Sequence, residues 1–317
     1  MITVFLLIML SVIYLFFKPG TITGFITRTG QLQIGNAAPI VDYIYLNDMN
    51  CTDNPNDVII NPVANSTISI IVKSQIEDLN GNCNEFTNNN GTAYLCSGTG
   101  SCNENTANHT ITMNYDSGDG QWGDGNKYCN MTGSAESLWF FEINGSWKVN
   151  VTITDGIDYD NLEKTWKYNE LRSFTYPPSG STINMGNLNL EQWNNGTAGD
   201  LMLNAGNIVL DLLWNATNFT GQTYDQEIDI NGTNYVIDDD NSGTDDTGNI
   251  PEVYINETPE NRVYFDPESG LLRCTDQGCG NENATFNVYW HIYIPSGLSP
   301  DTYINSIEIA SEDHPGQ

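Results

Sequence analysis

Ser146-Trp-Lys-Val-Asn-Val-Thr-Ile-Thr154 places Trp147, Val149, Val151 and Ile153 at every second position, with Ser146, Lys148, Asn150 and Thr152 between them. Successive side chains of a strand point to opposite faces, so this period of two predicts a half-buried antiparallel strand. Upstream, Leu138-Trp-Phe-Phe-Glu-Ile precedes Asn144-Gly145, a pair suited to a tight turn, and residues 138–155 read as a hairpin. The same alternation recurs over Thr67–Lys73, Thr110–Tyr115 and Phe286–Ile294. Asn80-Gly81, Asn90-Gly91, Asp119-Gly120, Asp124-Gly125 and Asn231-Gly232 supply further turns. Gly206–Trp214 reads as a strand buried on both faces, and Ile294–Tyr303 as the loop before the last strand. Beyond the N-terminus, helical spacing is confined to a short turn near Glu163–Lys167.

Short strands separated by turns at this spacing predict an all-β chain of two tandem β-sandwiches after an N-terminal hydrophobic helix. The segments are 1–19, a hydrophobic signal or anchor; 20–35, an extended leader; 36–156, the first sandwich; and 165–312, the second. The boundary falls in Asp155–Lys164.

Asn-x-Ser/Thr triplets occur at Asn50, Asn65, Asn90, Asn108, Asn130, Asn144, Asn150, Asn195, Asn215, Asn218, Asn231, Asn256 and Asn283. Random placement of 42 Asn and 49 Ser or Thr in 317 residues gives about six or seven such triplets, so the thirteen are a twofold excess. Acceptor sites function outside a membrane and on exposed backbone, which predicts an extracellular, cell-surface chain bearing N-linked glycans. Ile2–Phe17 agrees: it is uncharged and ends at Lys18-Pro19-Gly20. As a helix this run spans about 24 Å against the ~30 Å hydrocarbon core, a length that fits a signal h-region or a short membrane anchor.

A net charge of −30 from 40 acidic and 10 basic residues excludes a nucleic-acid surface, which needs clustered Lys and Arg. The cysteine spacings lack a C-x-x-C zinc pair and suit disulfide-closed loops. Cys274 with Cys279 and Cys96 with Cys102 are the expected bridges; Cys83 pairs with Cys129 or Cys51, and one cysteine remains over. The three histidines, His109, His291 and His314, are far apart and outside any nucleophile or metal motif, so catalysis is not expected.

Calcium is the one cofactor expected. Asp238, Asp240, Ser242, Thr244 and Asp246 put oxygen side chains at alternate positions around Gly243, as the first half of a calcium loop does. Asn249 stands at the twelfth position in place of a bidentate Glu, with Glu252 the nearest substitute. Asp116–Asn126 is a looser candidate. Trp139-Phe-Phe141 offers a sugar platform, although consecutive strand residues face both ways and one ring must enter the core. Trp147 and Trp290 read as core residues, whereas Tyr289, Tyr293 and Tyr303 suit a contact face.

Asn36-Ala-Ala-Pro-Ile40, Glu77-Asp-Leu-Asn-Gly81 and Trp139-Phe-Phe-Glu-Ile-Asn-Gly-Ser-Trp-Lys-Val-Asn-Val-Thr-Ile-Thr-Asp155 resemble the immunoglobulin-like domains of archaeal surface proteins, and are similar to secreted proteins of small-genome archaea. Gly206-Asn-Ile-Val-Leu-Asp-Leu212, Trp290-His-Ile-Tyr-Ile-Pro-Ser-Gly-Leu298 and Asp301-Thr-Tyr303 resemble the S-layer-type sandwich of such envelope proteins. The resemblance covers most of 36–310. It implies immunoglobulin-like folds and a non-catalytic structural or assembly role as an S-layer component or filament subunit, or alternatively an adhesin or glycan-binding module with calcium-ordered loops. The expected partners are other copies of the chain or other envelope proteins, and the membrane through 2–17. The alternating leader Thr21–Ile34 reads as a strand that pairs within its own domain or adds to a neighbouring subunit's sheet.

Overall fold

The computed structural model describes residues 36–80, 83, 86, 91–118, 123, 126–175, 185–195, 200–230, 235–238, 253–254, 263–265, 271–276 and 284–313. The hydrophobic run 1–19 and the leader 20–35 lie outside them, and no helix among the described residues is long and apolar enough to cross a membrane. The described chain is all-β apart from 3-10 conformation at Pro55–Asp57 and at Cys83.

The first half supplies β1 (Ile40–Leu46), β2 (Met49–Asn50), β3 (Ile59–Ile60), β4 (Thr67–Ile70), β5 (Val72–Glu77), β6 (Gly91–Ser97), β7 (His109–Tyr115), β8 (Tyr128–Gly133), β9 (Glu136–Trp139), β10 (Gly145–Thr154) and β11 (Tyr159–Tyr168). Nine of these form one sheet in the order β2-β1-β5-β8-β7-β6-β10-β11-β3, antiparallel except for the β11–β3 pair. Its two ends curl toward each other. The Cys51 amide donates to Ile44, the Thr165 amide to Thr52, and the Val41 amide to Asp160 Oδ2 (2.8 Å). β10 behaves as its sequence requires, burying Trp147, Val149, Val151 and Ile153. These meet Trp166 and Tyr168 of β11, with the Trp147 ring 5.2 Å from Trp166 and 6.2 Å from Tyr168. Ile44, Leu46, Ile76, Leu95, Met113 and Met131 complete the same interior.

Four expectations differ from the structure. The segment 155–164 is no domain boundary: the Asp155–Asp158 turn closes a ten-pair β10–β11 hairpin from Gly145↔Tyr168 to Thr154↔Tyr159. Residues 165–168 therefore belong to the first sheet, and Glu163–Lys167 is strand rather than helical turn. The expected 138–155 hairpin is also absent, because β9 pairs with β4 while β10 lies between β6 and β11. The run Thr67–Lys73 divides at the exposed Ile71, its first part joining β9 and its second part joining β1 and β8. The first half is thus a curled nine-stranded sheet, with Ile70 and Leu138 of the separate β4–β9 pair packed into the same core as Trp147, Trp166 and Tyr168.

The second half contains β12 (Phe174–Thr175), β13 (Gln192–Asn195), β14 (Asp200–Asn204), β15 (Leu210–Ala216), β16 (Phe219–Gly221), β17 (Glu227–Ile228), β18 (Tyr235–Asp238), β19 (Val253–Tyr254), β20 (Val263–Phe265), β21 (Thr285–Ile294), β22 (Tyr303–Ile304) and β23 (Ile307–Asp313). The central strand β21 pairs with β13, β14 and β18; β15 is central to the sheet β20-β15-β23. Leu210, Leu212 and Trp214 from β15 pack with Val288, Trp290, Ile292 and Ile294 from β21, which makes this half a sandwich. The rings of Trp214 and Trp290 meet edge-on at 5.3 Å, an arrangement worth about 0.5–1.5 kcal/mol beyond the area buried.

The halves are tied by a smaller cluster in which Phe140 and Phe141 join Cys274, Ala284, Leu171 and Leu203. Arg273 donates to the Phe141 carbonyl at 2.7 Å. The connection from Tyr168 is held by Asn207, which accepts from the Leu171 amide and donates to the Asn169 carbonyl. Asn204 donates from its buried amide to Ile208 and Leu271. Between these two, Gly206 admits no side chain: a Cβ there would stand 2.1 Å from the Leu171 carbonyl oxygen.

Candidate functional site

Of the calcium set, the backbone of Asp238 ends β18, paired with Tyr289. Asp240, Ser242, Thr244 and Asp246 lie outside the described residues, as do Asn249 and Glu252. Asp116, in the looser candidate, accepts from the Gly118 amide (3.0 Å) and the Thr132 hydroxyl (3.1 Å), so it caps a turn. Asp78 likewise accepts from the Asn80 amide at 2.9 Å, an Asx-type turn.

The cysteines follow their spacing more closely. Cys83 bonds Cys129 and Cys96 bonds Cys102, all four buried. Cys274 is disulfide-bonded; Cys279, paired with it in the sequence reading, lies outside the described residues. Cys51 is the free and buried one, and desolvation pushes its thiol up to about 12. The Cys83 alternative with Cys51 is therefore excluded.

The sequon asparagines divide by environment. Asn50, Asn65, Asn108 and Asn144 are exposed, while Asn130, Asn150 and Asn218 are half-buried. Asn150 lies on the polar face of β10, yet its Nδ2 donates to the Cys102 carbonyl at 2.7 Å beneath the Cys96–Cys102 loop. Asn215 is buried at 7% exposure, and with its amide oriented to satisfy its neighbours its nitrogen donates to Glu308 O and Oε2. A glycan on Asn215 requires that contact to open. Asn90, Asn231, Asn256 and Asn283, and the side chain of Asn195, lie outside the described residues.

The aromatic run resolves against a sugar platform. Trp139 stacks on Phe141 at 5.8 Å, Phe140 and Phe141 are buried, and all three pack in the cluster between the halves. Of the histidines, His291 is buried within β21, consistent with a packed residue, and His314 lies outside the described residues.

His109 is where sequence reasoning missed a constellation. Its Nδ1 stands 3.0 Å from Glu136 Oε1 and its Nε2 3.1 Å from Glu142 Oε1, with the ring 6.3 Å from Trp147. Burial draws the imidazole's pKa down, but hydrogen bonds to Glu142 and then Glu136, with their negative charges, outweigh it and hold the pKa above the ordinary histidine value. The partners are 27 and 33 residues away in sequence, so no local motif announces them.

A cleft of about 340 Å³ is lined by Thr217, Asn218, Thr220, Glu227, Ile304, Asn305 and Ser306. Its polar groups largely serve the fold: Asn218 Oδ1 accepts from the Ile230 amide and Thr217 Oγ1 from the Ser306 amide. Beside it Asp301 accepts from the Thr223, Tyr224 and Thr302 amides; burial works against its carboxylate, but these donors prevail and hold it below the usual carboxylate range.

No family model matches the chain, and no curated protein matches it. Among solved structures, the chain is similar to one described as a chaperone-tip adhesin complex of CFA/I fimbriae biogenesis, at 7% identity and a TM-score of 0.31 over 86% of this chain and 85% of that one. It is also similar to the C-terminal domain of the AgI/II polypeptide BspA of Streptococcus agalactiae, at 9% identity and a TM-score of 0.22 over 87% of this chain and all of that one. At these scores the likenesses carry no argument, and the functional reading rests on this chain's own residues.

Proposed function

We propose that this chain is a non-catalytic, N-glycosylated extracellular protein with a structural or assembly role in an archaeal-type cell envelope, as a surface-layer component or filament subunit. The observation that carries the reading is the set of disulfides built into the buried interior. Cys83–Cys129 joins the segment after β5 to β8, and Cys96–Cys102 closes the loop after β6 over β10. Disulfides persist in oxidising compartments and are reduced in the cytosol. Exposed sequon positions at Asn50, Asn65, Asn108 and Asn144 support the same address.

Assembly by strand addition fits this body. The leader 21–34 of one copy is the donor. The outer edge of β23, where no strand pairs among the described residues, suits it as the acceptor. The test combines surface biotinylation of intact source cells with sizing of the purified chain with and without residues 21–34. Surface labelling and loss of oligomers on deletion support the proposal. Protection from the reagent on intact cells sinks the location, and unchanged oligomers sink the strand-addition route.

A second reading, an adhesive or glycan-binding module with calcium-ordered loops, draws on the polar cleft at Thr217–Thr220 and 304–306. A glycan array with and without chelator separates the two, since a scaffold has no sugar preference for the chelator to abolish.

A further inference from the structure

His109 opens β7, Glu136 opens β9, and Glu142 follows β9 in the turn toward β10. That turn is also where the two halves meet. Phe140 and Phe141 enter the shared cluster, the Phe141 carbonyl accepts from Arg273, and the Trp139 carbonyl accepts from the Tyr168 hydroxyl at 2.9 Å. A single imidazole therefore ties the start of β7, the middle strand of the curled sheet, to the segment that holds the second half.

We propose that Glu136–His109–Glu142 is a pH-operated latch, which holds the 139–144 turn and the seam it forms closed while the imidazole is protonated and loosens it when the proton leaves. The chemistry follows from donor count. An imidazolium has two N–H donors and satisfies both carboxylates; a neutral imidazole has one, so its other nitrogen turns a lone pair toward a carboxylate. One of two partly buried hydrogen bonds is then exchanged for repulsion.

The groups facing the ring are few. Glu136 and Glu142 are the two charges that act on it, β10 presents the Trp147 ring, and β6 presents Leu95 as the backbone partner of His109. Glu142 also acts on Tyr168, whose hydroxyl burial and this charge together push its pKa upward. The Glu136 and Glu142 side chains are 35% and 16% exposed and that of His109 14%, so solvent screens the contacts only partly. Because the folded histidine is raised above its unfolded value, the latch contributes fully below about pH 6.5 and is lost as pH rises through the higher folded value.

The test is amide hydrogen exchange of the full chain at pH 6 and pH 8.5, corrected for intrinsic exchange rates. Opening of residues 140–144 is expected to rise at least tenfold at the higher pH, while amides of β5 and β8 stay unchanged. His109→Gln is expected to show the open behaviour at both values, and Glu142→Gln to move the transition to lower pH. Opening that does not depend on pH, or a pH response retained in His109→Gln, overturns the latch. Should His109→Gln fail to fold, the wild-type His109 Cε1–H resonance decides instead: titration above the ordinary histidine range supports the proposal, and titration at or below that range refutes it.

Discussion

Replacing Cys83 and Cys129 together by Ala should cost far more stability than replacing Cys96 and Cys102, and the difference follows from the chain each bridge closes. The first spans 46 residues and the second 6. Loop-closure entropy in the unfolded chain then gives about 4 kcal/mol for the long bridge and about 2 kcal/mol for the short one. Packing adds to the first term, since both Cys83 and Cys129 are fully buried in the curled-sheet core beside Ile76 and Phe86. The short bridge has a different second duty, because the Cys102 carbonyl accepts from Asn150 and its amide donates to Glu163. Those bonds use backbone atoms and survive the substitution if the loop keeps its course. Chemical denaturation of both double variants under non-reducing conditions measures the two losses, with the slope checked to confirm that the same surface unfolds. Equal losses, or a larger loss for Cys96→Ala/Cys102→Ala, would refute the entropic account and place the short loop's contacts above its closure.

Other outcomes follow from the same core. Native protein should resist alkylation at pH 8 and expose one thiol on denaturation without reductant, because burial lifts Cys51 to about 12; native labelling would show an open core at that position. Trp147→Ala should lose about 3–5 kcal/mol in denaturant melts, since the side chain is fully buried against Trp166 and Tyr168 and donates to the Ile143 carbonyl; a loss under about 1 kcal/mol would contradict its central place. Glycopeptide mass spectrometry of the native protein should find Asn50, Asn65, Asn108 and Asn144 occupied and Asn215 bare; a glycan on Asn215 means that the β15–β23 pairing opens before or during modification.

How much of this was legible along the chain depends on how local each constraint is. The alternation of β10 put Trp147, Val149, Val151 and Ile153 inside, and the apolar run Ile208–Trp214, broken by Asp211 alone, gave β15 buried on both faces. A side chain's face depends on its immediate neighbours, so both signals can be read without knowing the partner strands. Cysteine spacing similarly pointed to Cys96–Cys102, because six residues leave little choice of partner.

Pairing was another matter. Leu138–Phe141 and Tyr159–Tyr168 flank β10 equally well in sequence, and Asn144-Gly145 favours the first as its hairpin partner. Packing favours the second, since Trp166 and Tyr168 meet Trp147 inside the curled sheet, while Phe140 and Phe141 find their contacts in the other half. The Asp155–Asp158 turn then looks like a linker only because β11 is partly exposed over its first half and lacks clean alternation. The Glu136–His109–Glu142 cluster is remoter still: it exists because β4–β9 pairing sets Glu136, and the turn after β9 sets Glu142, against the start of β7. Strand character and burial are short-range consequences of composition and period, so the chain alone specified an all-β, disulfide-closed body. Which strands meet, where one half ends and which carboxylates grip a histidine depend on contacts between distant residues competing for one interior, and those were settled only when the sheet curled.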